Sequence, residues 1–183
     1  MSLVLTWVLL AQTFQTLKVQ PDQVILLSTT KPRVVSRILL HFPLDSLDPQ
    51  RVVEARLEFT SPEGLPYHRR ILLQVVPVTT PWDPSTVSWT VPWATPGGDF
   101  DATVSRYLAL PAAGQRVQVD ITLFVRNVHL YPGLLIKPPP FQGLGFGDVG
   151  RRLLEALKNS TLHLQMAPTE GSADTLIRTF PKE

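Results

Sequence analysis

Apolar and polar residues alternate with a period of two along most of this chain, which is the pattern of β-strands with one buried face. In the clearest run, charged residues separate four apolar ones that we predict to face the core, Val53, Ala55, Leu57 and Phe59. Further strand-like runs, bounded by proline and glycine, cover residues 13–28, 34–42, 71–78, 104–110, 117–121, 134–136 and 161–166. The pattern predicts an all-β protein.

The first of these runs and the residues before it leave alternatives open. Residues 13–28 contain two extended runs around the turn signal Pro21-Asp22, which predicts either a hairpin or one strand with a bend. Residues 1–12 form an apolar extension that is too short to span a bilayer. We predict that it is an assembly strand pairing with a sheet edge, or alternatively a signal peptide. The alternating residues assigned to assembly are Leu3, Leu5, Trp7 and Leu9.

Two segments have helical character within a single predicted domain of residues 13–183. Residues 123–130 follow Thr122, which suits an N-cap position, and precede Pro132-Gly133. Residues 149–158 carry apolar side chains at helical spacing and lie in an insertion at about 138–160. We therefore expect two short helices added to the strands.

Three of the four tryptophans fall within Val78–Trp93, together with three prolines. Proline restricts the backbone, and tryptophan carries a large apolar surface that must pack against something. Strand-like runs lie on both sides of this stretch. We predict that it is a long, stiff connector crossing between the two halves of a sandwich.

Five short motifs follow one another along about residues 34–136: R-I-L-L-H-F-P-L, V-V-E-A-R-L-E-F, P-W-D-P-S-T-V-S-W, V-Q-V-D-I-T-L-F-V-R and P-G-L-L-I. In order and spacing they resemble the DNRLRE-domain family. The resemblance implies a jelly-roll β-sandwich found in secreted and surface proteins of bacteria and archaea, used in some members to bind polysaccharide. The insertion at 138–160 departs from the family pattern. The expected fold is an all-β jelly-roll β-sandwich with two short helices.

Composition narrows the range of partners. A formal net charge of +2 with dispersed basic residues excludes the charge footprint of a nucleic-acid-binding protein. Without cysteine the chain has no disulfide, no thiolate metal site and no thiol nucleophile. Twelve arginines against five lysines, with abundant proline, favour a thermophilic or GC-rich source.

No motif in the chain predicts catalysis. Residues 145–150 match G-x-G-x-x-G, but a proline-rich loop stands where a dinucleotide site requires a strand, so we predict a hinge. The four histidines lack metal-ligand spacing. Asp99 and Asp101 could supply two calcium ligands, but calcium needs six or more oxygens, and turn or capping roles are favoured. We expect no catalytic residues, no metal and no cofactor.

The remaining candidate site is the tryptophan stretch. Trp82, Asp83, Trp89 and Trp93 could form an aromatic platform for sugar rings with a hydrogen-bonding carboxylate, and we expect Trp93 to be the most accessible of the three tryptophans. For Trp82 and Trp89, packing in the core or anchoring of the loop is the favoured role. The prediction is a non-catalytic structural module outside a cell or virion, whose partners are copies of itself or other surface or virion proteins. The alternative is a carbohydrate-binding module that recognises a polysaccharide.

Overall fold

The computed structural model describes residues 14–30, 34–65, 71–140, 146 and 149–168. The predicted assembly run with Leu3, Leu5, Trp7 and Leu9 lies outside the described residues. Within these ranges the chain forms nine strands and two α-helices. The strands are β1 (Gln15–Val19), β2 (Gln23–Thr29), β3 (Val35–His41), β4 (Val52–Thr60), β5 (Leu72–Val78), β6 (Arg106–Ala109), β7 (Arg116–Asp120), β8 (Gly133–Lys137) and β9 (Thr161–Met166), and the helices are α1 (Thr122–Arg126) and α2 (Val149–Lys158).

The strands form two antiparallel sheets. One sheet has four strands in the order β1-β9-β4-β7, and the other has five in the order β2-β3-β8-β5-β6. The pairs β1·β9, β3·β8, β4·β7 and β5·β6 are nested along the chain, as in a long hairpin rolled into two layers. The predicted all-β jelly-roll sandwich is confirmed, with β2 added as an edge strand.

The main core lies between the two sheets. Every second residue of β3, β4 and β9 points into it, because side chains alternate between the two faces of a strand. Fully buried members include Ile38, Leu40, Leu57, Leu162 and Leu164. Burying one such side chain contributes about 1.5–3 kcal/mol, so these positions hold the two sheets together.

The beginning of β4 departs from the predicted alternation. Val52 is 1% exposed and Val53 is 41% exposed, whereas the alternation predicts that Val53 faces the core. The register between β4 and β9 shifts between Val52 and Glu54, which indicates a β-bulge. A bulge adds one residue to a strand and so changes which residues face inward. The prediction for Val53 is wrong, while the rest of this strand's inward face is confirmed.

Pro21 and Asp22 mark a bend and not a hairpin. β1 pairs with β9 in the four-stranded sheet, whereas β2 pairs with β3 in the five-stranded sheet, so the chain changes sheets between them. Asp22 fixes this corner, since one carboxylate oxygen lies 2.6 Å from Nδ1 of His41 and its backbone N–H donates to the His41 carbonyl. Of the two predicted alternatives, the bent strand is confirmed.

The predicted helix at residues 149–158 is confirmed as α2. Its Leu153 and Leu157 are fully buried in the main core. Gly150 approaches β3 closely, since a Cβ atom added there would lie 3.0 Å from the Ser36 Cβ. The helix packs against β2, β3 and β4, and thereby covers part of the open side of the sandwich.

The predicted helix at residues 123–130 is wrong in its bounds. The α-helix spans only Thr122–Arg126, and a separate 3₁₀ turn follows at Val128–Leu130. Thr122 is the first helical residue and not the N-cap. Its hydroxyl donates to Asp120 Oδ1 at 2.6 Å and accepts from the Ala55 N–H at 2.9 Å, which ties the helix to β4. In the described part of the chain, no helix combines the length and apolar character that a bilayer crossing demands.

Candidate functional site

The tryptophan-rich stretch forms one long loop, residues 79–101, which we call the tryptophan loop. It connects β5 to β6, and these strands are neighbours in the same sheet. The prediction that it crosses between the two halves of the sandwich is therefore wrong. Because paired neighbouring strands need only a few connecting residues, the length of this loop requires another explanation.

The tryptophan loop covers the outer face of the five-stranded sheet. The central strands of this sheet carry consecutive apolar residues, so both of their faces are buried. A second apolar cluster joins the sheet to the loop. Its buried members are Leu27, Leu39, Val76, Val78, Leu135 and Trp93, and packed against them are Ile25, Trp82, Val87, Trp89 and Phe100. The loop thus adds a third layer to the sandwich.

The carboxylate of Asp99 holds the two ends of the tryptophan loop together. Its Oδ2 accepts hydrogen bonds from the Ala94 N–H at 2.8 Å and the Thr80 hydroxyl at 2.9 Å, while Oδ1 accepts from the Thr95 N–H at 2.8 Å. The Ala94 N–H above all, and the other two donors, lower the pKa of this carboxyl below its usual value. Asp99 therefore has the turn-stabilising role that its sequence context predicts.

Asp101 has a similar structural role at the end of the loop. Its Oδ1 accepts from the Thr103 N–H and hydroxyl at 2.8 and 2.6 Å, and its Oδ2 accepts from the Tyr131 hydroxyl at 2.9 Å. These bonds cap the 3₁₀ turn at Ala102–Val104. No group of three or more histidine or acidic side chains among the described residues is placed to hold a metal ion.

Gly97 allows the tryptophan loop to close over Arg37. Its φ of 91° lies in the region that favours glycine. A Cβ atom there would lie only 2.9 Å from the Trp89 ring and 2.8 Å from Arg37 Nη1. The Gly97 carbonyl accepts a hydrogen bond from Arg37 Nη1 at 2.8 Å, so the loop is attached to β3 at this point.

Trp93 is buried and not the most accessible tryptophan, which corrects the expectation from sequence. Its side chain is 6% exposed and belongs to the apolar cluster beneath the loop. Its indole N–H donates to the Ser88 carbonyl at 2.8 Å. A ring buried in this way offers no open face on which a sugar could stack.

The other residues predicted to bind carbohydrate lie in the same loop, but each has a contact within the protein. Trp82 packs edge-on against His41 with ring centres 6.3 Å apart, and its indole N–H is buried without a hydrogen-bond acceptor. The ring of Trp89 lies 5.1 Å from the guanidinium carbon of Arg37. Asp83 is exposed and stabilises its own turn. The structure brings all four residues together without forming a platform of three open rings.

Sequence reasoning missed two cations on the same face of the sheet. Arg37 in β3 and Lys137 in β8 flank the ring of Phe100, with the guanidinium carbon 5.9 Å and the ammonium nitrogen 4.7 Å from its centre. Burial, and then the charge of Arg37, lowers the pKa of Lys137 to about 8. Burial also lowers the pKa of Arg37. The sequence did contain a hint of these two residues, because each is charged whereas its outward-facing neighbours on the same strand are apolar.

No protein-family model matches the chain, and no curated protein was found to be similar to it. The likeness to the DNRLRE-domain family therefore remains a prediction that rests on five short motifs. The jelly-roll architecture has independent support, since it follows from the pairing of the strands alone.

Proposed function

We propose that this chain is a non-catalytic assembly module whose subunits join by adding a strand to a sheet edge. Its place is the outside of a cell or virion, as the resemblance to secreted and surface proteins implies, and its partners are copies of itself or other surface proteins. The proposal rests on one structural observation, the composition of β2.

β2 is an edge strand that carries no charged residue and no proline, and α2 packs against it. Within the described ranges it pairs only with β3. Its seven residues, Q-V-I-L-L-S-T, include no charged side chain and no proline. Edge strands are normally protected by lysine, proline, a bulge or a covering segment, because their free backbone groups invite pairing with another chain. An uncharged edge of this length suits strand addition.

The other three edge strands differ from β2 in this respect. β1 contains Lys18, β6 contains Arg106, and β7 contains Arg116 and Asp120. A charged side chain on an edge opposes pairing with a foreign strand, because its desolvation is costly. The contrast supports β2 as the proposed assembly edge.

Residues 2–10 of a second copy supply the incoming strand in this proposal. The run S-L-V-L-T-W-V-L-L has the apolar composition of a strand buried on both faces. Alternate side chains, those of Leu3, Leu5, Trp7 and Leu9, would contact one face of the recipient sheet. Backbone groups of β2 before Thr29 that do not pair with β3 would bond the backbone of the same run.

Size-exclusion chromatography with light scattering tests the proposal. Ser28 is an exposed residue of β2, so Ser28→Lys places a charge on this edge without removing a core side chain. We expect a concentration-dependent oligomer for the wild type and a monomer for Ser28→Lys. The matched control is Thr16→Lys on β1, an exposed position on an edge that already has a lysine, which should associate like the wild type.

A wild type that stays monomeric at every concentration would remove the assembly proposal. If the monomer were also retained on a polysaccharide column, and Trp82→Ala reduced that retention, the carbohydrate-binding alternative would take its place. Equal association of all three proteins would show that a different surface forms the contact.

A further inference from the structure

The register of the sheet places Arg37 and Lys137 side by side. Ile38 of β3 pairs with Ile136 of β8 in antiparallel register, so the next residues on each strand, Arg37 and Lys137, stand opposite each other. Both lie on the outer face, because their neighbours Ile38 and Ile136 point into the main core. Phe100 of the tryptophan loop contacts both cations.

Among the described residues, these two positive charges have no acidic partner. No carboxylate among the described residues lies within 4.0 Å of either side chain. Arg37 donates to the Gly97 carbonyl, whereas Lys137, at 5% exposure, makes no hydrogen bond to a described residue. An ammonium group has three donors to satisfy, and an aromatic ring compensates only part of the hydration that it loses. Two neighbouring cations also repel each other, which lowers the stability of the folded protein.

We propose that Arg37 and Lys137 form a binding site for a tetrahedral oxyanion, a phosphate or sulfate group, beside the ring of Phe100. Such an anion carries up to two negative charges, which match the two cations, and several acceptor oxygens for their free N–H groups. The guanidinium supplies a planar pair of donors, and the ammonium supplies a compact charge with rotatable donors. Arg37 is partly exposed, so an anion arriving from solvent can reach it first.

The site does not depend on the assembly edge. Lys137 belongs to β8, a central strand, whereas the proposed subunit contact lies on β2. The ligand group is either free inorganic phosphate or a phosphate ester on a larger molecule. Inorganic phosphate and phenyl phosphate distinguish these sources, because only the ester needs room for an organic group beside Phe100.

Thermal melts at constant ionic strength, with chloride replaced stepwise by inorganic phosphate or phenyl phosphate, test the proposal. Phosphate stabilises many proteins without a site, so the informative quantity is the difference between variants. We expect a saturating rise in Tm for the wild type and its loss in Lys137→Met. Lys158→Met, which removes an exposed lysine of α2, should keep the rise. A rise in Tm with inorganic phosphate but not with phenyl phosphate would mean that the site binds the free ion. A rise in Tm with both probes would mean that the site binds the free ion and phosphate esters alike.

A second experiment observes Lys137 directly in the wild type, so it does not require that Lys137→Met folds. In wild-type protein labelled with ¹³C-lysine, the Lys137 side-chain signal should move with added phosphate and reach a limit, while the Lys158 signal should not saturate. The proposal is overturned if Lys137→Met retains the full rise in Tm, or if the Lys137 signal responds no differently from that of Lys158.

Discussion

Lys137 shows how the position of one residue changes its chemistry. The same side chain on α2 would be an ordinary surface cation, whereas on β8 it is 5% exposed beside Arg37. Burial disfavours the charged form, and the neighbouring guanidinium adds repulsion, so the pKa falls from 10.5 to about 8. The folded protein therefore holds the Lys137 proton less tightly than the unfolded chain does.

Stability in phosphate-free buffer should rise between pH about 8 and about 10.5. In this range the unfolded chain still binds the Lys137 proton and the folded protein has released it, so the free energy of unfolding increases with pH. Urea melts of the wild type across this range should show the rise, and Lys137→Met should reduce it.

Lys137→Met also serves as the control for other groups that titrate at high pH. Tyr131, whose pKa is raised by its hydrogen bond to Asp101, titrates in both proteins and cancels in the difference. If wild type and Lys137→Met gave parallel curves, Lys137 would not be buried as described.

Trp93 tests the packing role of the tryptophan loop at the scale of a single side chain. Trp93→Ala should lower the free energy of unfolding by about 3–5 kcal/mol, because it empties a buried position and leaves the Ser88 carbonyl without its donor. Val91→Ala, two residues away and 47% exposed, should change it by less than about 0.5 kcal/mol. Denaturant melts give both values, and a small effect of Trp93→Ala would mean that the ring is not part of the core.

At the scale of elements, the periodicity of apolar residues predicts strands and helices well where local pattern alone determines which residues face inward. The inward face of β4 from Ala55 onward and the bounds of α2 follow from local pattern and agree with the structure. The bulge at Val53 and the shortening of α1 do not follow from it, because both depend on contacts with distant strands. The role of Trp93 was missed for the same reason, since its burial depends on the outer face of a sheet assembled from distant segments.

Asp99 stabilises the tryptophan loop in the way that a capping residue stabilises the end of a helix. Asp99→Ala removes three hydrogen bonds to a carboxylate and should destabilise the protein by about 1–3 kcal/mol. Because the pKa of Asp99 is lowered in the folded state, its contribution should also be lost as pH falls through that pKa. Urea melts at neutral and acidic pH should show a gap between wild type and Asp99→Ala that narrows in acid.

Asp83→Ala is the matched control for this experiment. Asp83 lies in the same loop, but among the described residues its carboxylate accepts hydrogen bonds only from Ser85, within its own turn. We expect a smaller loss of stability than for Asp99→Ala. Equal losses would show that Asp99 does not join the two ends of the loop.

At the scale of the whole molecule, the jelly-roll fold was predictable from sequence, whereas the third layer formed by the tryptophan loop was not. Five motifs in order suggested the jelly roll, and the nested strand pairs confirm the architecture. The third layer could not be read from sequence, because the same proline and tryptophan residues would suit a crossing between sheets equally well. The cation pair was hidden for a similar reason, since Arg37 and Lys137 are a hundred positions apart and meet only through strand register.

The position of β9 between β1 and β4 has a consequence for synthesis of the protein. A ribosome produces the first strand of the four-stranded sheet long before the last one, and β1 has no described partner other than β9. β1 therefore cannot pair with β9 until residues 161–166 have been made, and such non-local pairing slows folding. During that interval the growing chain exposes strand edges that are paired in the finished sheet, and it is then most open to association with its neighbours or to capture by chaperones.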